Sequence, residues 1–207
     1  FNQDLAKTEC LSLMQKLDSY QSIDFCAIES GKNPDPKLST DYLFQKKLGI
    51  MFGVLICKDA LGNTYNLKAF SGQFNSIWNV KGWVPPLLDE NAFNQLIKDS
   101  DKEIHELTDK IEILEKEQNK NLSLIKELKQ KRKNLSNQSM KDIFALYQFY
   151  TFDGSKKDFS QIIKDDELPP TGCGEGCAPK LLSEAYRQGL KPVSLAEFYY
   201  GPENKSN

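Results

Sequence analysis

The chain has 207 residues, and its 27 lysines and arginines are nearly balanced by 29 aspartates and glutamates, which gives a formal net charge of −2. This balance excludes a molecule whose whole surface attracts a polyanion, so any nucleic-acid contact must come from a local basic patch. No apolar run approaches the roughly 20 residues of a membrane span, and residues 1–20 lack the pattern of a signal peptide. We therefore expect a cytoplasmic protein without a membrane partner.

The cysteines form an odd-numbered set without regular spacing, which favours reduced thiols over a disulfide framework. They are Cys10, Cys26, Cys57, Cys173 and Cys177. The chain begins with Phe1, not Met, and ends in a polar run at residues 201–207. We interpret it as a fragment of a longer protein.

The first predicted element is an amphipathic helix over residues 4–20, with Asp4 as a possible N-cap. Its apolar residues recur at helical spacing and are Leu5, Cys10, Leu13, Met14 and Leu17. We assign residues 1–22 to this N-terminal helix. Residues 23–40 contain glycine, prolines and small polar residues that interrupt any periodicity, so they predict a loop.

A β-hairpin is predicted next. Residues 50–57 are continuously apolar and residues 65–70 alternate, with a glycine-containing turn between them. Because the first run is apolar on both faces, it should be the central strand of a sheet. The Gly-, Pro- and aromatic-rich residues 71–86 predict an ordered loop packed on that sheet.

Residues 100–136 predict a long helical insertion, because apolar residues alternate three and four apart in a heptad pattern. They are Ile104, Leu107, Ile111, Leu114, Ile125, Leu128 and Leu135. Gln118 and Asn121 occupy polar positions in the middle of this seam, and Arg132 occupies a basic one near its end. One solution is a helical hairpin that turns near residues 119–121; the other is a continuous helix that pairs antiparallel with a second molecule through residues 104–135. We favour the continuous helix.

The charges of this insertion are segregated. Residues 99–117 hold eight acidic side chains, whereas residues 118–141 hold seven basic ones. Such a basic cluster offers salt-sensitive, sequence-independent contacts to RNA phosphates. The candidate RNA-binding residues are Lys126, Lys129, Lys131, Arg132 and Lys133. The competing interpretation is a solvated helix face paired with acids.

The last third of the chain predicts a second hairpin, a helix and a strand. Residues 143–150 and 159–163 form the hairpin around a turn at Asp153-Gly154. The helix covers residues 178–188 and ends at Gly189, and residues 193–200 form the strand. Together these elements predict an α+β or α/β layered domain over residues 49–98 and 140–202, built from two β-hairpins and helices, with the long charged helix or helical hairpin inserted.

A glycine-rich turn precedes the helix at residues 178–188. Its notable residues are Gly172, Gly174, Glu175, Cys177 and Lys180. Free N–H groups at a helix start could hold an anion or activate Cys177; the alternative is a glycine-dependent helix entry that packs Leu181 and Leu182 into the core. No Gly-Lys-Ser/Thr follows, so the turn is not a phosphate loop of that kind. Two cysteines and the distant His105 are too few ligands to predict a metal.

The strand-strand-helix-strand order, with Cys-Ala at the helix start, also resembles a nucleobase deaminase core. Pro179 stands where that chemistry needs a glutamate. A nucleotide-binding or deaminase-like relict using this turn is therefore a third interpretation.

Several short motifs in order resemble the N-terminal extension of a subgroup of RluA-type RNA pseudouridine synthases. They are MFGVL (51–55), AFSG (69–72), WVPP (83–86), the charged helix, the prolines at 169–170, the glycine-rich turn through APKLL (178–182), and LAEFYYG (195–201). The resemblance covers residues 49–202. It implies an accessory region that aids the placement of structured RNA (rRNA or tRNA), preceding a cofactor-free catalytic domain that converts uridine to pseudouridine.

That family carries its catalytic aspartate in an Arg-Leu-Asp motif, which this sequence lacks; its Leu-Asp pairs are preceded by Lys16 and Leu87. No catalytic residue is therefore carried over, and we expect the catalytic domain beyond residue 207 of the parent isomerase. The alternative function is a scaffold that self-associates through an antiparallel coiled coil and contacts no RNA.

Overall fold

A computed structural model describes residues 4–117, 121–162, 169–170 and 172–203. Helices and strands are mixed, and the predicted α+β class is confirmed. The chain forms two compact units. The sheet unit comprises residues 1–87, 149–157 and 171–207, and the hairpin unit comprises residues 88–148 and 158–170.

The helices and strands of the described residues follow one another along the chain, together with a 3₁₀ turn at Pro36–Leu38. They are α1 (Asp4–Tyr20), α2 (Phe25–Glu29), α3 (Asp41–Gln45), β1 (Ile50–Lys58), β2 (Thr64–Phe70), α4 (Glu90–Lys116), α5 (Leu122–Leu146), β3 (Phe149–Tyr150), β4 (Lys156–Lys157), α6 (Phe159–Ile162), α7 (Cys177–Arg187) and β5 (Lys191–Tyr200). The predicted α1, the β1–β2 hairpin, α7 and β5 are confirmed. The segment between α1 and α3, predicted as loop, contains the short α2 and the 3₁₀ turn.

The sheet unit is built on an antiparallel sheet with the strand order β2-β1-β5. Leu55 of β1 lies opposite Leu67 on one side and Leu195 on the other. The continuous apolar run of β1 is buried on both faces, as expected for a central strand. This arrangement confirms the predicted position of β1.

Helices cover the two faces of this sheet. On one face, Leu13 and Leu17 of α1 pack with Phe52 and Val54 of β1. On the other face, α7 lies so close to β1 that a Cβ at Gly53 would stand 2.7 Å from Cys177 Cβ. A residue without a side chain is therefore required at position 53.

The loop at residues 71–86 packs on the sheet as predicted. Phe52 is fully buried, and its ring lies 5.5 Å from the ring of Trp83 and 5.7 Å from that of Phe198. The indole Nε1 of Trp83 donates a hydrogen bond to the carbonyl of Ile23 at 2.9 Å. Large aromatic rings with satisfied polar atoms thus form the centre of this core.

The hairpin unit contains two antiparallel helices instead of one continuous helix, so the favoured alternative is wrong and the helical hairpin is correct. α4 ends at Lys116, and α5 begins at Leu122, where the side chain of Asn121 accepts a hydrogen bond from Leu124 N at 3.1 Å. Asn121 is thus a helix cap and not a seam residue. Gln118 lies outside the described residues.

The hairpin closes because it buries the heptad seam within one chain. Leu107 and Ile111 of α4 and Ile125 of α5 are all less than 7% exposed. The acidic and basic halves meet across the helices, as the ion pair of Lys129 with Glu115 shows at 2.6 Å. The helical hairpin therefore buries the apolar stripe and places the acidic half of the insertion beside the basic half.

The second predicted β-hairpin is much shorter than expected. β3 and β4 pair over two residues each, around a turn at Asp153-Gly154 in which Gly154 has φ +79°. Residues 143–146, predicted as strand, continue α5, and Phe159–Ile162, predicted as the returning strand, form α6. Residue 163 lies outside the described residues.

The helical conformation of these aromatic segments follows from their packing in the hairpin unit. The ring of Phe159 lies 5.3 Å from that of Phe144 and 5.4 Å from that of Tyr147. Burial of this aromatic cluster outweighs the intrinsic strand preference of the residues.

Candidate functional site

The four predicted lysines of α5 fall into two groups. Lys129 pairs with Glu115 at 2.6 Å, and Lys131 pairs with Glu103 at 3.6 Å. Lys126 and Lys133 are exposed and have no hydrogen-bond or ion-pair partner within the described residues. The competing interpretation, a helix face paired with acids, therefore holds for Lys129 and Lys131. It does not hold for Lys126 and Lys133.

Arg132 occupies a seam position and is half-buried. Its guanidinium donates a hydrogen bond to Thr108 Oγ1 at 3.2 Å, and that hydroxyl donates to the carbonyl of Ile104 at 2.8 Å. The aliphatic stem can thus cover the apolar seam while the charged head stays at the surface. The Thr108 side chain of α4 thus holds the guanidinium in place.

An open groove of about 550 Å³ runs along this part of the hairpin. Its lining residues are Ile104, Thr108, Lys129, Arg132, Lys133, Ser136 and Asn137. Residues three and four apart share one helix face, which explains why the side chains of α5 converge here. Three cationic side chains and no carboxylate are among the described lining residues, although Lys129 is paired with Glu115 outside this lining. Arg132 and Lys133 are the cations that suit a phosphate group.

The groove joins Lys129, Arg132 and Lys133 of the five predicted residues and leaves out Lys126 and Lys131. It also contains Thr108, Ser136 and Asn137, which sequence reasoning missed. The last two follow Arg132 and Lys133 by four residues, so their spacing on a helix could have indicated them. Thr108 could not be found in this way, because it comes from the other helix.

The glycine-rich turn is held by backbone contacts within the sheet unit. Gly172 and Gly174 have φ of +78° and +115°, conformations that favour glycine. Glu175 N donates to the carbonyl of Gly172 at 3.0 Å, and Gly72 N donates to the carbonyl of Glu175 at 2.9 Å. These bonds fasten the turn to the end of β2.

Cys177 is a buried structural thiol. Its Sγ donates a hydrogen bond to the carbonyl of Met51 at 3.2 Å, and burial raises the pKa of the thiol to about 12. The free N–H of Ala178 already donates to the carboxylate of Glu197 at 2.8 Å, and Pro179 has no N–H. The N-terminus of α7 therefore binds the carboxylate of Glu197 and does not activate Cys177.

Lys180 is buried at 1% exposure beneath the turn. Its Nζ donates to the carbonyls of Phe70 at 2.8 Å and Gly72 at 3.2 Å and lies 5.0 Å from the centre of the Phe70 ring. Burial lowers the pKa of this ammonium to about 8, although the nearby Cys177 and Glu175 act in the opposite direction. Lys180 thus ties α7 to the end of β2, and the turn with Leu181 forms a helix entry into the core.

A cleft of about 380 Å³ adjoins this turn and includes Tyr42, Ser71 and Glu175 in its lining. The Tyr42 hydroxyl accepts a hydrogen bond from Asn75 N at 3.1 Å, and Ser71 Oγ accepts one from Met51 N at 3.1 Å. Both hydroxyls thus accept hydrogen bonds from backbone N–H groups and stabilise the local structure. Among the described residues, no group of three or more His, Cys, Asp or Glu side chains is arranged to hold a metal ion.

None of the helices in the described ranges has the length and apolar character needed to cross a membrane. Comparisons with protein families, with characterised proteins and with solved structures find no match.

Proposed function

We propose that this chain is an accessory N-terminal region of a cytoplasmic RNA pseudouridine synthase, and that its hairpin unit holds phosphates of structured RNA while a separate catalytic domain isomerises the uridine. The chain itself supplies no catalytic residue in this proposal. The resemblance of the short sequence motifs to those of RluA-type enzymes is what supports the family in this proposal. Gly53 and Trp83, which belong to those motifs, occupy positions on which the packing of the sheet unit depends.

The observation that carries the RNA role is the groove whose described lining includes Arg132 and Lys133, two cations without an ion pair among the described residues, beside Lys129. In a chain of net charge −2, such a groove is a local exception to the surrounding charge balance. Each phosphate neutralised by a cationic side chain releases counterions and adds a slope of about −0.7 to −0.9 to the dependence of log K on log salt. Lys129 is held by Glu115, so phosphate contacts from Arg132 and Lys133 would give a slope of about −1.4 to −1.8.

The experiment is a fluorescence-anisotropy titration of a structured RNA against the 207-residue chain over roughly 50 to 200 mM salt. Lys133→Gln removes an exposed, unpaired cation of the groove. Lys141→Gln is the matched control, because Lys141 is exposed on the same helix but does not line the groove. We expect Lys133→Gln to weaken binding severalfold and to reduce the salt slope by about 1.

Two results would overturn the RNA role. One is the absence of binding at the lowest salt concentration. The other is an equal loss in Lys133→Gln and Lys141→Gln, which would show that only overall charge matters.

The scaffold function remains the alternative proposal. Because Leu107, Ile111 and Ile125 are buried within one chain, the seam itself does not require a second molecule. Sedimentation equilibrium separates the two functions: a concentration-independent monomer favours the RNA role, whereas a stable dimer that binds no RNA favours the scaffold.

A further inference from the structure

The sheet unit contains a second cationic pocket, between α1 and the edge strand β2. α1 packs on β1 and β5, so the side chains of β2 on the same sheet face stand beside this helix. A pocket of about 200 Å³ lies there, and its polar lining residues are Glu9, Ser12 and Lys16 from α1 and Asn66 and Lys68 from β2. We call it the lysine pocket.

Lys68 is the unusual residue of this pocket. Its Nζ lies 5.1 Å from the centre of the Phe25 ring and 5.3 Å from that of Trp83. Within the described residues it has no hydrogen-bond acceptor and no ion-pair partner. Burial and the charge of Lys16 lower its pKa.

An ammonium group carries three N–H donors, and ring faces do not satisfy them as oxygen acceptors do. The Lys68 Nζ is not among the polar side-chain atoms closed off from solvent in the described part of the chain, so its N–H donors are open to the pocket. An anionic ligand in the pocket would accept hydrogen bonds from them in place of water.

Lys16 brings a second ammonium to the same ring, with its Nζ 5.7 Å from the centre of Phe25. Its ion pair with Glu29 at 2.8 Å fixes its position and raises its pKa, so it stays charged. Two ammonium groups thus flank one aromatic ring, and Glu9 is the only carboxylate that lines the pocket among the described residues.

The polar groups come from two opposite walls, Ser12 with Lys16 on α1 and Asn66 with Lys68 on β2. A tetrahedral oxyanion presents oxygens to both walls at once, whereas a planar carboxylate presents two oxygens in one plane. The volume is below the about 300 to 1,000 Å³ of pockets that enclose a drug-sized ligand. The pocket therefore suits an anionic group and not a whole nucleotide.

We propose that the lysine pocket binds the phosphate group of a phosphorylated ligand through Lys68 and Lys16. The phosphate can belong to a small phosphate monoester or to the backbone of an RNA strand. The proposal concerns the sheet unit alone and stands whether or not the groove of the hairpin unit binds RNA.

The first test is a titration of the 207-residue chain with inorganic phosphate, followed by the amide NMR signals of Ser12, Asn66 and Lys68. Chloride at equal ionic strength is the reference. Lys68→Met keeps the aliphatic stem and removes the charge, and Lys58→Met is the control because Lys58 is exposed at the end of β1. We expect saturable shifts in the wild type and in Lys58→Met, and at least about tenfold weaker binding in Lys68→Met, the loss of one charge-assisted contact.

Shifts that are absent, equal in chloride, or unchanged in Lys68→Met would overturn the proposal. Lys68→Met should fold, because it relieves the burial of a charge; a urea unfolding curve checks this, and Lys68→Gln replaces it if it does not fold. Uridine 5′-monophosphate, uridine and a short RNA without terminal phosphate then distinguish the sources. Binding by the monophosphate alone indicates a monoester and binding by the RNA indicates backbone phosphate, whereas equal binding by uridine contradicts a phosphate site.

Discussion

The two units of the chain are stabilised in different ways. The sheet unit buries large aromatic rings, and Phe52 within it is fully inaccessible. The hairpin unit buries a narrow stripe of aliphatic residues between two charged helices, with cross-helix ion pairs such as Lys129 with Glu115 at its surface. Stability in the first unit comes from apolar burial, whereas the second keeps many charges exposed and available for a ligand.

The largest expected effect comes from a substitution in the aromatic core of the sheet unit. Phe52→Ala removes a ring that contacts those of Trp83, Phe198 and Tyr200. The lost burial and the cavity should lower the free energy of unfolding by about 3 to 5 kcal/mol, measured by urea denaturation.

The control for this substitution is Phe152→Ala. The side chain of Phe152 is 83% exposed in the β3–β4 turn, so its removal should change stability by less than about 0.5 kcal/mol. Comparable losses in the two variants would contradict the described core.

The second effect concerns the seam of the hairpin unit. Ile111→Ala deletes a residue that is 3% exposed and should cost about 2 kcal/mol, the lower end of the range for aliphatic truncations, because a two-helix seam can relax. Ile113→Ala is the control, since Ile113 is 63% exposed on the same helix.

Amide hydrogen exchange gives the readout that separates the units. Exchange of α4 and α5 should accelerate in Ile111→Ala while exchange of β1 stays slow. Equal acceleration in β1 would show that the units do not open separately.

The third effect is a decline of stability at alkaline pH. Burial raises the pKa of Cys10 and Cys57 to about 11 and that of Cys177 to about 12, above the ordinary value of 9. The unfolded chain releases these protons first, so the stability they contribute is complete below pH 9 and is lost as pH rises from 9 towards 12. Lys180 acts in the opposite direction between pH 8 and 10.5, because its folded pKa is lowered to about 8.

Together these groups should lower the free energy of unfolding by roughly 1 to 2 kcal/mol between pH 8 and 10, measured as a shift of the urea midpoint. Cys57→Ala should flatten this profile because it removes one buried thiol. Cys173→Ser should leave it unchanged, since Cys173 is exposed. A profile that rises from pH 9 to 12 would contradict the assignment.

The smallest effect is the ion pair of Lys129 with Glu115, whose side chains are 50% and 43% exposed. A double-mutant cycle with Lys129→Gln and Glu115→Gln should give a coupling energy of about 0.2 to 1 kcal/mol. The coupling should shrink in high salt, unlike the effect of Phe52→Ala. Equal salt sensitivity of the two effects would remove the distinction between the units.

The sequence predicted elements whose pattern is local. The buried strand predicted at residues 50–57 and the helix predicted before Gly189 follow from runs of adjacent residues, and the structure confirms them as β1 and α7. The break between α4 and α5 could not be decided, because a heptad seam has the same spacing in a continuous helix and in a hairpin. The polar cap Asn121 is compatible with either interpretation until its bond to Leu124 is seen.

In the candidate sites, too, the sequence predicted residues that are neighbours in the chain and missed those brought together by tertiary folding. Lys129, Arg132 and Lys133 were predicted because they are neighbours on one helix, whereas Thr108 joins them only through tertiary folding. Lys16 and Lys68 were missed because they meet over the ring of Phe25 although they lie far apart in the chain. The spacing of residues along the sequence does not indicate such a tertiary contact.

The pairing of β1 with β5 joins distant parts of the chain, and we expect it to form late in folding. Ile50 lies opposite Tyr200, and more than half of the chain, residues 59–190, separates the two strands. Closing so long a loop is entropically unfavourable and slow, whereas helices and local hairpins form within microseconds. Once α4 and α5 lie antiparallel, the two ends of the insertion come together and the loop is effectively shortened. We therefore expect the helical hairpin to form before the sheet closes.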